Sequence, residues 1–164
     1  MSLMDAPAYD PTRDNRIRNL GIVGASLVGL LVILTFAGFL TGHGWLFTNL
    51  GYEHQTDKFF TALEQKDYPK AFGIYNHDPE WQQHPQKYAD YPLPKFTEDW
   101  TTYSPVHAPI TAHHVDISVQ DGSGTFGTGI IVAVKINHAK EIFMYISRAD
   151  KTMTWPAPHV LTRY

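Results

Sequence analysis

The chain contains no cysteine, which excludes a disulfide framework, a thiolate metal site and a thiol nucleophile, and leaves the redox compartment open. Charge is also scarce: charged side chains make up 18% of the residues and the formal net charge is -3. Nothing resembles the basic stripe that binding to a phosphate backbone requires, so nucleic acid is not an expected partner. No internal repeat, low-complexity tract or long linker is visible, and with 164 residues the chain has room for one domain and an appendage.

Charge is most completely missing from Leu20 to Leu40, LGIVGASLVGLLVILTFAGFL, where 21 residues carry only Ser26 and Thr35 as polar side chains. At ~1.5 Å per helical residue this run just crosses a hydrocarbon core of ~30 Å. A cleaved leader has an apolar stretch of only ~7–15 residues and a small-residue cleavage site, and neither fits here. A soluble core helix of this length would carry polar residues somewhere on its circumference. The expectation is an uncleaved transmembrane helix over residues 19–42, after a polar tail over 1–18 and before a juxtamembrane connector over 43–51.

Arg13, Arg16 and Arg18 precede the run and no Lys or Arg follows it until Lys58, which predicts a cytoplasmic N-terminus and a domain on the other side. Trp45 and Phe47 suit the headgroup layer, so the chain is expected to leave the bilayer near Gly42. Gly21, Ala25 and Gly29 form a small-xxx-small series on one helix face, a pattern that lets another helix approach closely. The expected partners are the lipid bilayer and other integral membrane subunits.

Beyond the connector, Tyr52, Thr56, Phe59, Phe60 and Leu63 recur at helical spacing and predict an amphipathic helix from about Tyr52 to Gln65. Asp67 is positioned to cap a second helix with Pro69 in its first turn, where the missing N–H is harmless. Tyr68, Ala71, Phe72 and Tyr75 share one face of it. Pro79, Pro85, Pro92 and Pro94 then limit any helix between them to a turn or two. Phe96, Trp100 and Tyr103 fall at i, i+4 and i+7 and predict a third helix, stopped by Pro105.

After Pro109 the period changes to two. Val115, Ile117 and Val119 alternate with His114, Asp116 and Ser118, which predicts a strand with the apolar set inward and the polar set outward. The residues from Asp121 supply a turn, Ile130, Val132, Val134 and Ile136 a second strand, and Ile142, Met144 and Ile146 a third. A last strand opening at Thr152, broken by Pro156 and Pro158, is expected at an edge. Helices followed by an antiparallel meander give an α+β class, with the helices on one face of a curved sheet over residues 52–164.

This order of elements resembles the NTF2-like superfamily, and FFTALEQKDYPKAF looks like its opening helix pair. The resemblance implies a cone in which a strongly curved sheet wraps a helix, a shape that serves ligand binding, catalysis, dimerisation and assembly in different members; fold alone does not choose between them. HDPEWQQHPQKYADYPLPKFTEDW also resembles a segment of bacterial membrane-anchored proteins, which implies an inner-membrane anchor and a periplasmic domain.

Nine histidines raise the question of a metal, since imidazole is a common ligand. His77 and His84, with Asp78 and Glu80 nearby, are the better candidates, although Asp78 is equally suited to starting a helical turn. His113 and His114 are neighbours on a strand and point to opposite faces. His114 and Asp116 are candidates for an acid/base dyad, but the alternation places them outside. Trp81, Tyr88, Tyr91 and Trp100 are candidates for a partner- or ligand-facing aromatic set. DGSGTFGTG lacks the Lys and following helix of a phosphate-binding loop and reads as a hairpin turn. No cofactor is expected.

Three functional expectations follow: a non-enzymatic accessory subunit of a larger membrane complex, whether respiratory, photosynthetic, transport or secretion; a module binding a small apolar ligand in the cone; and an isomerase- or dehydratase-type enzyme using His113, His114 or Asp116.

Overall fold

A computed structural model describes residues 11–122, 127–138 and 140–157. The first ten residues, the expected turn residues Ser123 and Gly124, and Pro158 lie outside them. Helix α1, Pro11–Leu40, contains the apolar run and starts two turns before it. Residues 11–18, expected as a tail, are therefore helical. Pro11 in the first turn needs no N–H partner, and Asp14 complements the positive end of the helix dipole. The helix is long and apolar enough to cross a membrane, and from Leu20 to Leu34 every side chain is exposed.

The end of α1 is sharply defined. The Gly42 N–H donates to the Phe39 carbonyl and the His43 N–H to the Gly38 carbonyl, with Gly42 at φ 78. This is the Schellman pattern, in which a residue without Cβ turns the chain while the last helical carbonyls are satisfied. A single 3-10 turn, Trp45–Phe47, leads into α2, Leu50–Glu64.

Asp67 caps α3, Tyr68–Tyr75, through the Lys70 N–H with Pro69 in the first turn, as its sequence dictates. The proline-rich stretch forms two 3-10 turns, Trp81–Gln83 and Pro85–Tyr88, before α4, Leu93–Thr101. Phe96 and Trp100 face inward, but Tyr103 is 58% exposed. The helix has ended by then, and Ser104 takes the inward place, its hydroxyl donating to the Ala108 carbonyl at 2.7 Å.

Among the described residues four antiparallel strands form an open sheet in the order β1-β2-β3-β4: β1 His113–Gln120, β2 Gly129–Ile136, β3 Lys140–Ser147 and β4 Met153–Thr154. Ile130, Val132, Val134 and Ile136 of β2 and Ile142, Met144 and Ile146 of β3 point to the core as the alternation requires. Strand β4 pairs with β3 at Met153 and Thr154, on the sheet edge.

Strand β1 departs from the expected pattern. Val115 pairs with Val134 and Ser118 with Val132, so one extra residue is held in β1 between them. A bulge of this kind reverses the facing of everything beyond it. Ser118 is consequently buried, whereas Ile117 and Val119, expected inward, are 43% and 47% exposed.

The interior between helices and sheet is filled by rings. Phe59 meets Phe60 and Trp100 edge-on, each at 5.0 Å between centroids. Phe72 meets Phe96 and Tyr88 in the same way at 5.3 Å. Each such pair adds about 0.5–1.5 kcal/mol to the burial itself. Phe59, Phe60, Phe72 and Phe96 have no exposed surface, and α2 packs across β1 and β2.

Candidate functional site

The bulge in β1 brings the sheet to the end of α1. The Ser118 N–H donates to the Gly42 carbonyl at 2.8 Å, and the Asn49 side-chain amide donates to the Ser118 carbonyl at 3.1 Å. The Ser118 hydroxyl donates to Glu53 Oε1. His43 Nδ1 lies 2.9 and 3.0 Å from the two Glu53 oxygens. Asn49, Glu53 and Ser118 are all buried, so helix end, connector, α2 and edge strand meet in one polar node with its groups paired.

Serine, glutamate and histidine in contact invite a catalytic reading, but the order of contacts is wrong for it. A nucleophilic triad has the imidazole between hydroxyl and carboxylate so that it can take the hydroxyl proton. Here the carboxylate stands in the middle and accepts from both sides. The arrangement fixes a joint and does not activate an oxygen.

The close approach depends on glycine at two points. A Cβ on Gly38 would stand 2.8 Å from the Phe47 nitrogen and within overlap of the Gly44 carbonyl. One on Gly42 would lie 2.9 Å from Ile117 Cγ2.

A groove with a cavity volume of about 960 Å³ opens beside this joint, between the outer faces of α2 and α3. It begins at Gly51 and Tyr52, where α2 leaves the connector, and extends to Pro79, Trp81 and Gln82. Pro69, Ile74 and Trp81 supply apolar surface, while Lys58, Lys70 and Lys151 contribute cationic ends and Asp57 a carboxylate. Two hydrogen bonds fix one wall: Gln55 Nε2 donates to the Ile74 and Lys151 carbonyls at 3.2 and 2.8 Å. At the other end Trp81 Nε1 donates to the Pro69 carbonyl at 3.1 Å.

The residues singled out by sequence do not gather there as one set. Trp81 lines the groove, but Trp100 is 4% exposed in the core and Tyr88 is also buried. Trp100 therefore faces neither partner nor ligand: its phase on α4 directs it to Phe59 and Phe60. Tyr91 is half-buried and donates to Asp99 at 3.0 Å. Burial first, and then that carboxylate, raise the pKa of its hydroxyl well above the ordinary tyrosine range.

His77 and His84 are exposed. Asp78, expected to join them, is engaged elsewhere: it accepts from the Tyr88 hydroxyl at 2.5 Å, the Lys87 ammonium at 3.4 Å and the Glu80 N–H at 3.1 Å. The Tyr88 hydrogen bond is the largest influence holding its carboxyl below the usual range. Among the described residues no three or more His, Asp or Glu side chains gather as a metal site.

His113 turns inward, with Nδ1 2.7 Å from Glu64 and Nε2 3.2 Å from Asp57, and packs on the Phe60 ring. Both its nitrogens are thereby committed to tying β1 to α2. His114, opposite Lys135 in the register, is exposed. Asp116 falls within the bulge and is half-buried.

Gly21 and Gly29 have open space around them, and Ala25 between them is exposed. Among the described residues nothing covers the small-residue face of α1.

The joint was not foreseen from sequence. Its local signal is a pair of polar residues, Asn49 and Glu53, one helical turn apart in the stretch that follows the apolar run. Comparison of the chain with family models, curated proteins and solved structures gives no match.

Proposed function

We propose that this chain is a non-enzymatic, single-pass accessory subunit of a larger membrane complex, with α1 packing among other membrane helices and the groove between α2 and α3 receiving a partner on the outer face. The domain is read as NTF2-like on the order of its elements, and the basic flank of α1 supports a periplasmic domain on a bacterial inner membrane. One observation carries the reading: the joint of Gly42, Asn49, Glu53 and Ser118 ties the anchor into the fold. A merely tethered domain needs only a flexible linker, whereas a domain that must meet a neighbour at a set height and angle gains from a fixed one.

The groove supports the same reading. It starts at the membrane end of α2, and its apolar surface with a mixed charged rim has the composition of a protein-docking surface. The ring-filled interior gives no support to a ligand held in the cone. The double engagement of His113 gives none to acid/base chemistry at that residue.

Extraction in mild detergent followed by native separation tests the proposal. The chain should migrate with other integral membrane proteins, and a photo-crosslinker at Lys58 or Lys70 should capture one of them. Migration only as a free monomer or homodimer overturns it.

A further inference from the structure

We propose that the exposed apolar rim made by Trp45, Leu46, Leu50, Ile117 and Val119 is seated in the headgroup layer of the bilayer from which α1 emerges, so that the edge strand β1 rests on the membrane surface. The proposal builds on the reading of α1 as a membrane-spanning helix.

The apolar run of α1 covers ~31 Å at ~1.5 Å per residue, so a hydrocarbon core of ~30 Å that begins at Leu20 ends at about Leu40. The polar layer outside it is about 5–7 Å thick on each side. Gly42, two residues past that boundary, packs directly on the Ile117 side chain and bonds to the Ser118 N–H. Strand β1 is thereby fixed to the height of the headgroups by contacts within the chain. Phe39, in the last turn of α1, packs on Trp45 with ring centroids 5.4 Å apart. The ring contact makes the rim continuous with the lipid-facing surface of the helix.

The five side chains are 43–57% exposed, and Ile117 and Val119 are among them because of the bulge in β1. The bulge turns them out and turns Ser118 in. In water that exchange loses apolar burial; at a membrane it moves the same apolar area into the interface. The neighbouring charges are arranged to permit it. No Lys, Arg or Asp lies between Thr41 and Tyr52, Glu53 is folded inward onto Ser118 and His43, and Asp116 is half-buried in the bulge. A tryptophan at this depth occupies the layer its amphipathic ring favours. The seat also covers part of an edge strand that would otherwise offer unpaired backbone to other chains.

Because the chain has no cysteine, a single one can be placed and spin-labelled without background. Val119→Cys and Ile117→Cys are reconstituted in phosphatidylcholine/phosphatidylglycerol nanodiscs. Leu30→Cys marks the middle of α1, and Gln65→Cys, just past the distal end of α2, marks water. Collision with oxygen and with Ni-EDDA is measured for each label. Labels at 117 and 119 should keep oxygen collisions while meeting Ni-EDDA about threefold less than the label at 65, as for a side chain at the acyl boundary. Values equal to those at 65 for both reagents overturn the seat. Shielding from both reagents also overturns it, since a covering protein surface would then be the occupant. A label at 30 that meets Ni-EDDA as freely as the one at 65 overturns the spanning helix itself, and a deep label at 30 with a wet one at 119 rejects the seat alone. All four positions are exposed, and thermal unfolding of each labelled protein verifies that the domain is folded.

Discussion

Ser118 donates its backbone N–H to the Gly42 carbonyl at 2.8 Å, which pairs the edge strand of the sheet with the first turn after α1. Asn49 completes the pairing by donating to the Ser118 carbonyl at 3.1 Å from a site that is itself 3% exposed. Replacing Asn49 with alanine leaves that carbonyl without its side-chain donor, a loss of about 1–3 kcal/mol for a buried group. Chemical denaturation of the detergent-solubilised protein should show this loss. Native-state hydrogen exchange should show the Ser118 amide opening faster, with the amides of β3 unchanged. A variant as stable as the parent would mean that the joint contributes nothing to the fold.

Gly38 stands in the last turn of α1, where a Cβ would overlap the Gly44 carbonyl and crowd the Phe47 nitrogen. The obstacles are backbone atoms, which cannot rotate aside. Gly38→Val should therefore push the 3-10 turn off the helix end and open the joint. The segment between α1 and α2, residues 41–49, should be cleaved faster by added protease, while the domain keeps its circular dichroism. Gly29→Val, in open space on the same helix, should leave the cleavage rate unchanged in the isolated protein.

What the sequence made legible and what it hid divide along range. The cap at Asp67, the proline-limited turns and the inward sets of β2 and β3 depend on neighbours a few residues away, and periodicity and turn chemistry find them. The facing of Ile117 and Val119 depends on a bulge, and the bulge accompanies bonds from Ser118 to Gly42, Asn49 and Glu53, which are 65 to 76 residues away. A two-residue alternation carries no mark of such partners. The helix start at Pro11 was not read, because residues 11–18 are polar and lack apolar periodicity, although Pro11 and Asp14 suit a first turn. Nor was the groove, because its lining comes from the outer faces of two helices whose side chains separately read as solvated.

Phe96 touches Phe59, Phe72, Tyr75, Tyr91 and Trp100 and has no exposed surface. Phe96→Ala should lower the unfolding free energy of the domain by about 3–5 kcal/mol, through lost burial and the cavity left behind. Tyr103→Ala, seven residues on and expected from sequence to share the same face, should change it by less than about 0.5 kcal/mol, since its ring is mostly in water. Equal effects at the two positions would contradict the end of α4 at Thr101.

Asp78 joins the proline-rich turns together, and its acidity gives a signature of that role. The Tyr88 hydroxyl, first, and then Lys87 and the Glu80 N–H lower its pKa in the folded protein, while the Tyr88 hydroxyl is itself pushed up, by burial and then by the carboxylate it serves. A carboxyl whose folded pKa lies below its unfolded value binds more protons when unfolded. Its stabilisation is then fully present above the unfolded value of about 3.9 and is lost as pH falls through the folded one. Tyr88→Phe removes the main cause of the shift. The variant should be less stable than the parent from neutral pH down to about pH 5, and the gap should narrow as the carboxyl protonates in both proteins below about pH 4. Denaturation midpoints in detergent at a series of pH values measure the gap. A difference that stays constant or widens into acid would assign the effect of Tyr88 to ring packing on Phe72, with no part played by its bond to Asp78.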